Sequence, residues 1–189
     1  MTHHASVYQL DKRSQKSWHK IRAAFEVLVL SERYDEITAG DIIEKAGVSR
    51  STFYSHFENK NAVLGKSLHP PLSVLANCID PNSPIEPLRQ ILQHFWEHRS
   101  FCRLILTGTP RKAVNQMLIE LLEQQIIENL NANQKQILIS EAHAATQIAA
   151  SQLALLDTWL LGKAASSDKK LAEAMKKTSI GLLTALISD

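Results

Sequence analysis

Apolar residues recur at every third or fourth position along most of this chain, which is the spacing of amphipathic α-helices. Within residues 14–31, Trp18, Ile21, Phe25 and Leu28 follow this spacing and predict a first helix. Further patterns of the same kind occupy residues 85–99, 101–107, 111–131, 134–161 and 168–187. No stretch alternates like a β-strand for long enough to predict one, so the pattern favours an all-α fold.

Two short helices are predicted after the first one. Thr38 is followed three residues later by Asp41, a capping-box spacing that begins a helix. Gly47 then supplies a residue that takes a positive φ at the end of that helix, and Ser49 offers the N-cap of a third helix of about seven residues. Two short helices joined by about three residues with a glycine predict a helix-turn-helix.

The remaining elements complete a fold of about nine helices. Asn59 can cap a fourth helix, which Pro70-Pro71 is expected to kink or end unless the helix restarts there. Residues 80–84 form the clearest loop. We therefore expect an N-terminal helix-turn-helix domain over residues 1–60 and a C-terminal helical bundle over residues 61–189.

Composition narrows the class of protein. The 189 residues are 44% apolar and 21% charged, and six glycines and six prolines are too few for an all-β fold. Two cysteines, Cys78 and Cys102, do not make a disulfide framework. The sequence has no signal-peptide core and no run of ~20 apolar residues, so we expect a cytoplasmic protein with no membrane partner.

Positive charge is concentrated at one end of the chain. Residues 1–22 hold five basic residues against Asp11 alone, a balance of +4 within a total of +2. Such a patch can mark a surface that binds a polyanion, and a solvated helix start explains it equally well.

The third predicted helix combines an apolar side with a polar one. Val48, Phe53 and Phe57 can seat it on the preceding helices. Arg50, near its start, carries the planar fork that suits guanine O6 and N7 in the major groove. The polar side also carries short hydrogen-bond donors that can reach phosphates and one further cation: Ser49, Thr52, Tyr54, His56 and Lys60. Ser51 and Ser55 are small enough to let the helix lie deep in the major groove.

The stretch from about Ile21 to Leu64 resembles the DNA-binding domain of the TetR family of bacterial transcriptional repressors. The shared motifs are Tyr-x-x-Ile-Thr from Tyr34, Asp-Ile-x-x-x-Ala-Gly-Val-Ser from Asp41, and Ser-Thr-Phe-Tyr-x-His-Phe-x-Asn-Lys from Ser51. The resemblance implies base contacts from Arg50, Ser51 and Ser55. It implies phosphate contacts from Thr38, Ser49, Thr52, Tyr54, His56 and Lys60. The chain departs from many members at Arg33, where they have glycine, and this puts the turn into the second helix in doubt.

Outside this stretch the resemblance is one of architecture, and it implies a homodimer that binds a near-palindromic operator and is released by a small-molecule effector. The last two helices would pair with those of a second copy through Leu156, Trp159, Leu160, Leu171, Met175, Leu182 and Leu186. An apolar effector pocket would be lined by Phe95, Trp96, Phe101, Leu104, Met117 and Trp159. Burial inside a single chain explains either set as well.

No motif of an enzyme or a cofactor site is present in the sequence. His94, His98 and Cys102 have the four-residue spacing of helical metal ligands, but no carboxylate completes the set, so we predict no metal site. Two further functions stay open. One is a DNA-binding dimer without a small-molecule sensor, and the other is a protein–protein adaptor that has lost DNA binding.

Overall fold

The structure is a computed structural model that describes residues 12–188, with the side chains of Lys12 and Arg13 outside the description. Predictions on the first eleven residues and on these two basic side chains therefore lie outside the described residues. The described part contains nine α-helices: α1 Lys12–Ser31, α2 Ala39–Ala46, α3 Arg50–Tyr54, α4 Lys60–Ala76, α5 Glu86–Glu97, α6 Arg99–Thr107, α7 Arg111–Asn133, α8 Glu141–Leu160 and α9 Asp168–Leu186. The all-α fold is confirmed.

The chain forms two compact units, of which the first ends at Leu64 and the second begins at Gly65. In the first unit α1 packs against α2. Ile21, Phe25, Ile42 and Phe53 are at most 1% exposed, so three helices share one small core. Burial of such side chains is worth roughly 1.5–3 kcal/mol each, which holds two very short helices in place.

The second unit is built around α8, which packs against α6, α7 and α9. Leu118, Leu122 and Ile126 of α7 are fully buried, as are Ile148 and Leu153 of α8. An ion pair also links α7 to α8: Arg111 donates to the Asp157 carboxylate at 2.6 Å and to the Leu106 carbonyl at 2.7 Å.

One predicted helix boundary is wrong, and one short pair of strands is not predicted. The predicted helix 134–161 begins only at Glu141, where Ser140 caps it by accepting from the His143 amide. Before it, β1 (Gln136–Ile137) pairs antiparallel with β2 (Ile187–Ser188), a two-residue ladder too short to leave a pattern in the sequence. Neither strand could be predicted, because each is defined by a partner about fifty residues away.

The Pro70-Pro71 pair does not end α4, which is continuous from Lys60 to Ala76. Asn59 caps this helix as predicted, with its side-chain oxygen accepting from the Ala62 amide at 3.1 Å. Leu72 and Leu75 beyond the prolines are buried, so packing of one helix face outweighs the local preference against proline. No helix in the described residues has the length and apolar composition needed to cross a membrane.

Candidate nucleic-acid interface

Helix α2 begins at the predicted capping box. The Asp41 carboxylate accepts from both the amide and the hydroxyl of Thr38 at 2.7 Å, and the Asp41 amide donates back to the Thr38 hydroxyl at 3.2 Å. The hydrogen bonds from Thr38 lower the pKa of Asp41, since they favour the ionised carboxylate. The Thr38 hydroxyl is thereby engaged within the chain as well as exposed.

The turn from α2 to α3 is also as predicted. Gly47 ends α2 with φ 59° and ψ 42°, a left-handed conformation, and its amide donates to the Glu44 carbonyl. Ser49 caps α3 by accepting from the Thr52 amide at 3.1 Å. Helix α3 is five residues long, shorter than the predicted seven, because Ser55 ends it.

The phenyl groups of α3 and of the residues after it are buried in the core of the first unit, while the polar side of α3 is exposed. Phe53 and Phe57 are 0% and 3% exposed, and Trp18 of α1 lies against Phe57 with ring centroids 5.4 Å apart. Arg50 is exposed, and Tyr54 is 54% exposed. The first unit therefore presents a guanidinium and a phenol on the surface, which is the arrangement that a groove-reading helix requires.

Three hydroxyls at the start of α3 form one cluster. The Ser49 oxygen lies 2.9 Å from that of Ser51 and 2.8 Å from that of Thr52. Two such contacts use two of the three hydroxyl protons, so one proton stays available for an outside acceptor. At the C-terminal end of α3, the Ser55 hydroxyl donates to the Thr52 carbonyl at 2.8 Å.

Lys60 is engaged inside the first unit. Its ammonium donates to the carbonyls of Tyr34 and Asp35 at 2.6 and 3.1 Å and lies 4.7 Å from the centroid of the Tyr34 ring. These contacts join the start of α4 to the turn that precedes α2. The position expected to supply a phosphate-binding charge thus uses that charge to hold two carbonyl groups.

Two more positions of the motif have partners or neighbours that the sequence did not reveal. His56 is partly buried, and its Nε2 lies 3.4 Å from the Ser14 hydroxyl of α1. Arg33 has a negative φ in the described backbone, so the glycine that many members have here is not required. The Glu36 amide donates to the Arg33 carbonyl at 2.9 Å and closes the turn.

Sequence reasoning gave no individual role to the basic residues of α1. In the structure Lys16 and Lys20 are exposed and line an open cleft together with the α2–α3 turn. Their spacing of four residues on a helix was the signal that could have placed them on one face.

Of the six predicted effector-pocket residues, Trp159 alone lines one of two cavities found in the second unit, an open groove and a small pocket. Trp96 and Leu104 are 42% and 44% exposed, and Phe95 is buried in the core. Trp159 stacks on Trp96 with centroids 5.0 Å apart and lines an open groove of about 490 Å³ between α8 and α9. A second cavity, of about 60 Å³, lies beside Lys176, and none of the six residues lines it.

Most of the predicted dimer residues are covered within one chain. Leu156, Trp159, Leu160, Leu171 and Met175 are at most 6% exposed, so they belong to the core of the second unit. They are among the most apolar positions of these two helices, and the core of the chain itself buries such positions. Only Leu182 and Leu186 are partly exposed.

One exposed face of α8 and one of α9 carry several small residues. On α8 the exposed positions along one face are His143, Gln147, Ala150, Ala154 and Thr158. On α9 they are Ala174, Thr178, Gly181 and Ala185. Small side chains at these positions permit close approach of another helix.

His94 and His98 lie with their rings 4.4 Å apart at the end of α5, and Cys102 is buried. Across the described part of the chain, no group of three or more His, Cys, Asp or Glu side chains is arranged to hold a metal ion.

Two segments of the chain match known family models. Residues 21–66 match the model described as "Bacterial regulatory proteins, tetR family". Residues 82–181, more than half of the chain, match the model described as "Transcriptional regulator C-terminal region".

Two solved structures share the fold over nearly its whole length. A TetR transcriptional regulator from Streptococcus agalactiae 2603V is 26% identical with a TM-score of 0.59, over 89% of this chain and 96% of that one. NalD, the secondary repressor of the MexAB-OprM multidrug efflux pump in Pseudomonas aeruginosa, is 21% identical with a TM-score of 0.55, over 93% and 99% of the two chains. The second likeness concerns the fold alone.

A curated relative matches a shorter segment. YxbF, an uncharacterised HTH-type transcriptional regulator of Bacillus subtilis (strain 168), is 37% identical over 57 residues. This match covers 30% of the present chain and 15% of the length of YxbF.

Proposed function

Because the chain belongs to the tetR family of bacterial regulatory proteins, we propose that it is a repressor that binds a near-palindromic operator as a homodimer. Membership makes it a transcriptional regulator rather than an enzyme. The observation that carries the DNA-binding part is the orientation of α3: Arg50 and Tyr54 lie exposed while Phe53 is fully buried. We assign DNA binding to residues 1–60, and dimerisation and effector binding to residues 61–189, in a cytoplasmic protein.

In this proposal α3 lies in the major groove and reads bases through Arg50, Ser51 and Ser55. The guanidinium fork donates to guanine O6 and N7, and the two serines are small enough to let the helix approach the bases. Phosphate contacts come from the hydroxyl cluster at the start of α3 and from Tyr54, with Thr38 and His56 at the edges. The exposure of Arg50, Tyr54 and the two serines supports the assignment. The Lys60 ammonium already binds two backbone carbonyls, which argues against a phosphate contact from Lys60.

A dimer is proposed because one α3 reads only half of a palindrome. Two copies related by a two-fold axis would place their α3 helices about 34–36 Å apart, or a multiple of that distance, along the duplex. The small-residue side of α8 and α9 supports a helix-pair interface, and the open groove of about 490 Å³ lies on these same two helices.

The proposal includes release from DNA by a small-molecule effector. An effector would have to prefer a dimer whose two α3 helices no longer match the operator spacing. The cavity beside Lys176, at about 60 Å³, is smaller than the roughly 300–1,000 Å³ of ordinary ligand sites. The groove between α8 and α9, of about 490 Å³, lies within that range, but it is open and lies on the helices proposed for the dimer contact. Both observations favour the second candidate function, a DNA-binding dimer without a small-molecule sensor.

Selection from a pool of randomised duplexes at low salt tests the DNA-binding proposal. We expect enrichment of a near-palindromic sequence with two half-sites about one helical turn apart. If the dimer neutralises on the order of 6–8 phosphates, its affinity falls with salt at a log–log slope of about −5 to −7. Failure to enrich any sequence would support the adaptor function instead.

Transcription from a promoter that carries the selected sequence then tests the direction of control. Lower output in the presence of the protein is expected of a repressor, and higher output would contradict that part alone. A matched promoter with a scrambled sequence is the control.

A further inference from the structure

The first unit contains an open cleft of about 470 Å³ between α1 and the α2–α3 turn. Its walls are formed by Lys16, Ser17, Lys20, Gly47, Val48, Ser49 and Thr52. The lining includes two cations and three hydroxyls, and it contains no carboxylate. A cleft of this composition is suited to an anion with several oxygen atoms.

The two lysines place like charges side by side. Lys16 and Lys20 are four residues apart on α1 and exposed, and neither forms an ion pair within the described residues. Like charges at this spacing repel and destabilise a helix slightly. An anion seated between them would turn that repulsion into attraction.

The opposite wall belongs to the segment that reads DNA in the proposed function. Ser49 and Thr52 line the cleft and are members of the hydroxyl cluster that keeps one proton available. Arg50 and Ser51, which lie between them in sequence, are exposed. An anion in the cleft would therefore lie beside the major groove of the DNA that α3 enters in the proposed complex.

We propose that this cleft seats one phosphodiester group of the DNA backbone, bound by Lys16 and Lys20 together with the hydroxyls of Ser49 and Thr52. The inference rests on the proposed DNA binding and deepens it. It moves the main phosphate-binding charge from Lys60, which holds two carbonyls, to two residues of α1 outside the reading motif. It also gives the basic N-terminal region a defined task in binding.

Salt titrations of full-length Lys16→Ala and Lys20→Ala on the selected duplex test the inference. Each substitution weakens the neutralisation of one phosphate in each subunit, so the log–log slope should become shallower by up to about 2, and the double variant Lys16→Ala/Lys20→Ala should approach that value. The loss of affinity should be equal on the operator and on random duplex, because a phosphate carries no sequence information.

Arg22→Ala is the matched control. Arg22 is also exposed on α1, but it lies about 200° around the helix from Lys20 and does not line the cleft. For the Arg22→Ala variant, the log–log slope of affinity against salt concentration should stay close to that of the wild type. A change equal to that of the lysine variants would mean that only overall charge matters, and would overturn the inference.

Lys16→Arg and Lys20→Arg guard against a folding defect, since they keep the charge and should keep the slope. An unchanged slope in both alanine variants, on a duplex that the wild type binds, overturns the cleft assignment alone. Failure of the wild type to bind any duplex overturns the cleft assignment and the proposed function together.

Calorimetric titration with inorganic phosphate distinguishes a site for the phosphates of the DNA backbone from a site for the free phosphate ion. Weak or undetectable binding of the free ion, with the slope change on DNA, is the expected result. Binding of free phosphate that the lysine substitutions abolish, without any effect on the DNA slope, would show an anion site unrelated to DNA and overturn the inference.

Discussion

At the scale of single residues, Lys60 shows how a motif and a structure can assign different roles to one side chain. The motif that begins at Ser51 ends with this cation, and the family resemblance implies a phosphate contact there. The fold brings the Tyr34 and Asp35 carbonyls to the same ammonium, and these partners lie 26 and 25 residues away. Local sequence has no access to such partners, so the difference could not be predicted.

Lys60→Met is expected to destabilise the first unit by about 1 kcal/mol, because two carbonyls lose a charged donor and Tyr34 loses a cation above its ring. Thermal unfolding measures the loss. The salt slope of DNA binding should stay within experimental error of the wild type. A slope shallower by about 2 with unchanged stability would return Lys60 to its phosphate role.

Arg50→Ala is expected to cost ~1–3 kcal/mol of binding and to relax the preference at one base pair of each half-site, since one bidentate contact is lost. Competition binding with duplexes that vary one position at a time measures both effects. An equal loss on operator and random DNA would contradict the base contact.

At the scale of elements, the caps and turns of the first unit follow from local sequence. Thr38, Gly47, Ser49 and Asn59 occupy the capping positions predicted for them. Each cap depends on bonds within about four residues, so a pattern in the sequence carries all the information it needs. The late start of α8 differs because β1 takes its partner from the far end of the chain.

Gly47→Ala is expected to destabilise the protein by roughly 1 kcal/mol. An added Cβ at Gly47 meets nothing within 4 Å, so the whole cost comes from the left-handed φ of 59°. Gly65→Ala is the matched comparison: Gly65 lies inside α4, and its Cβ would lie 3.5 Å from the Met117 sulfur, an ordinary contact.

Gly65→Ala should stabilise α4 by about 0.5–1 kcal/mol, because alanine favours a helix interior more than glycine does. Denaturant unfolding of both variants measures the change in the free energy of unfolding, which should be a loss for Gly47→Ala and a gain for Gly65→Ala. Equal effects at the two glycines would contradict the conformational explanation.

At the scale of the whole molecule, the last two helices illustrate a choice that hydrophobicity alone cannot make. Leu156, Leu160 and Met175 are buried within one chain, whereas Ala154 and Ala174 lie exposed on the same helices. Both faces are apolar enough to be covered. A long helix without a clear polar side leaves open which face the chain covers itself and which it offers to a second copy.

Ala154→Glu is expected to weaken the proposed dimer by roughly 2–5 kcal/mol, because a carboxylate would be placed unpaired between closely packed helices. Sedimentation equilibrium measures the monomer–dimer constant. Ala113→Glu, at an exposed position of α7, is the control and should leave the constant unchanged. A dimer that tolerates the charge at Ala154 would place the interface elsewhere.

The amino-acid sequence determined the helical class, the caps of the first helices and the outward orientation of α3, because each depends on residues within one or two turns of one another. Only the tertiary structure decided the partners of Lys60, the pairing of β1 with β2, the buried face of α8 and the cleft beside Lys16. These features arise where segments far apart in the chain meet. Which segments meet is decided by the packing of the whole core, and a local pattern does not contain that information.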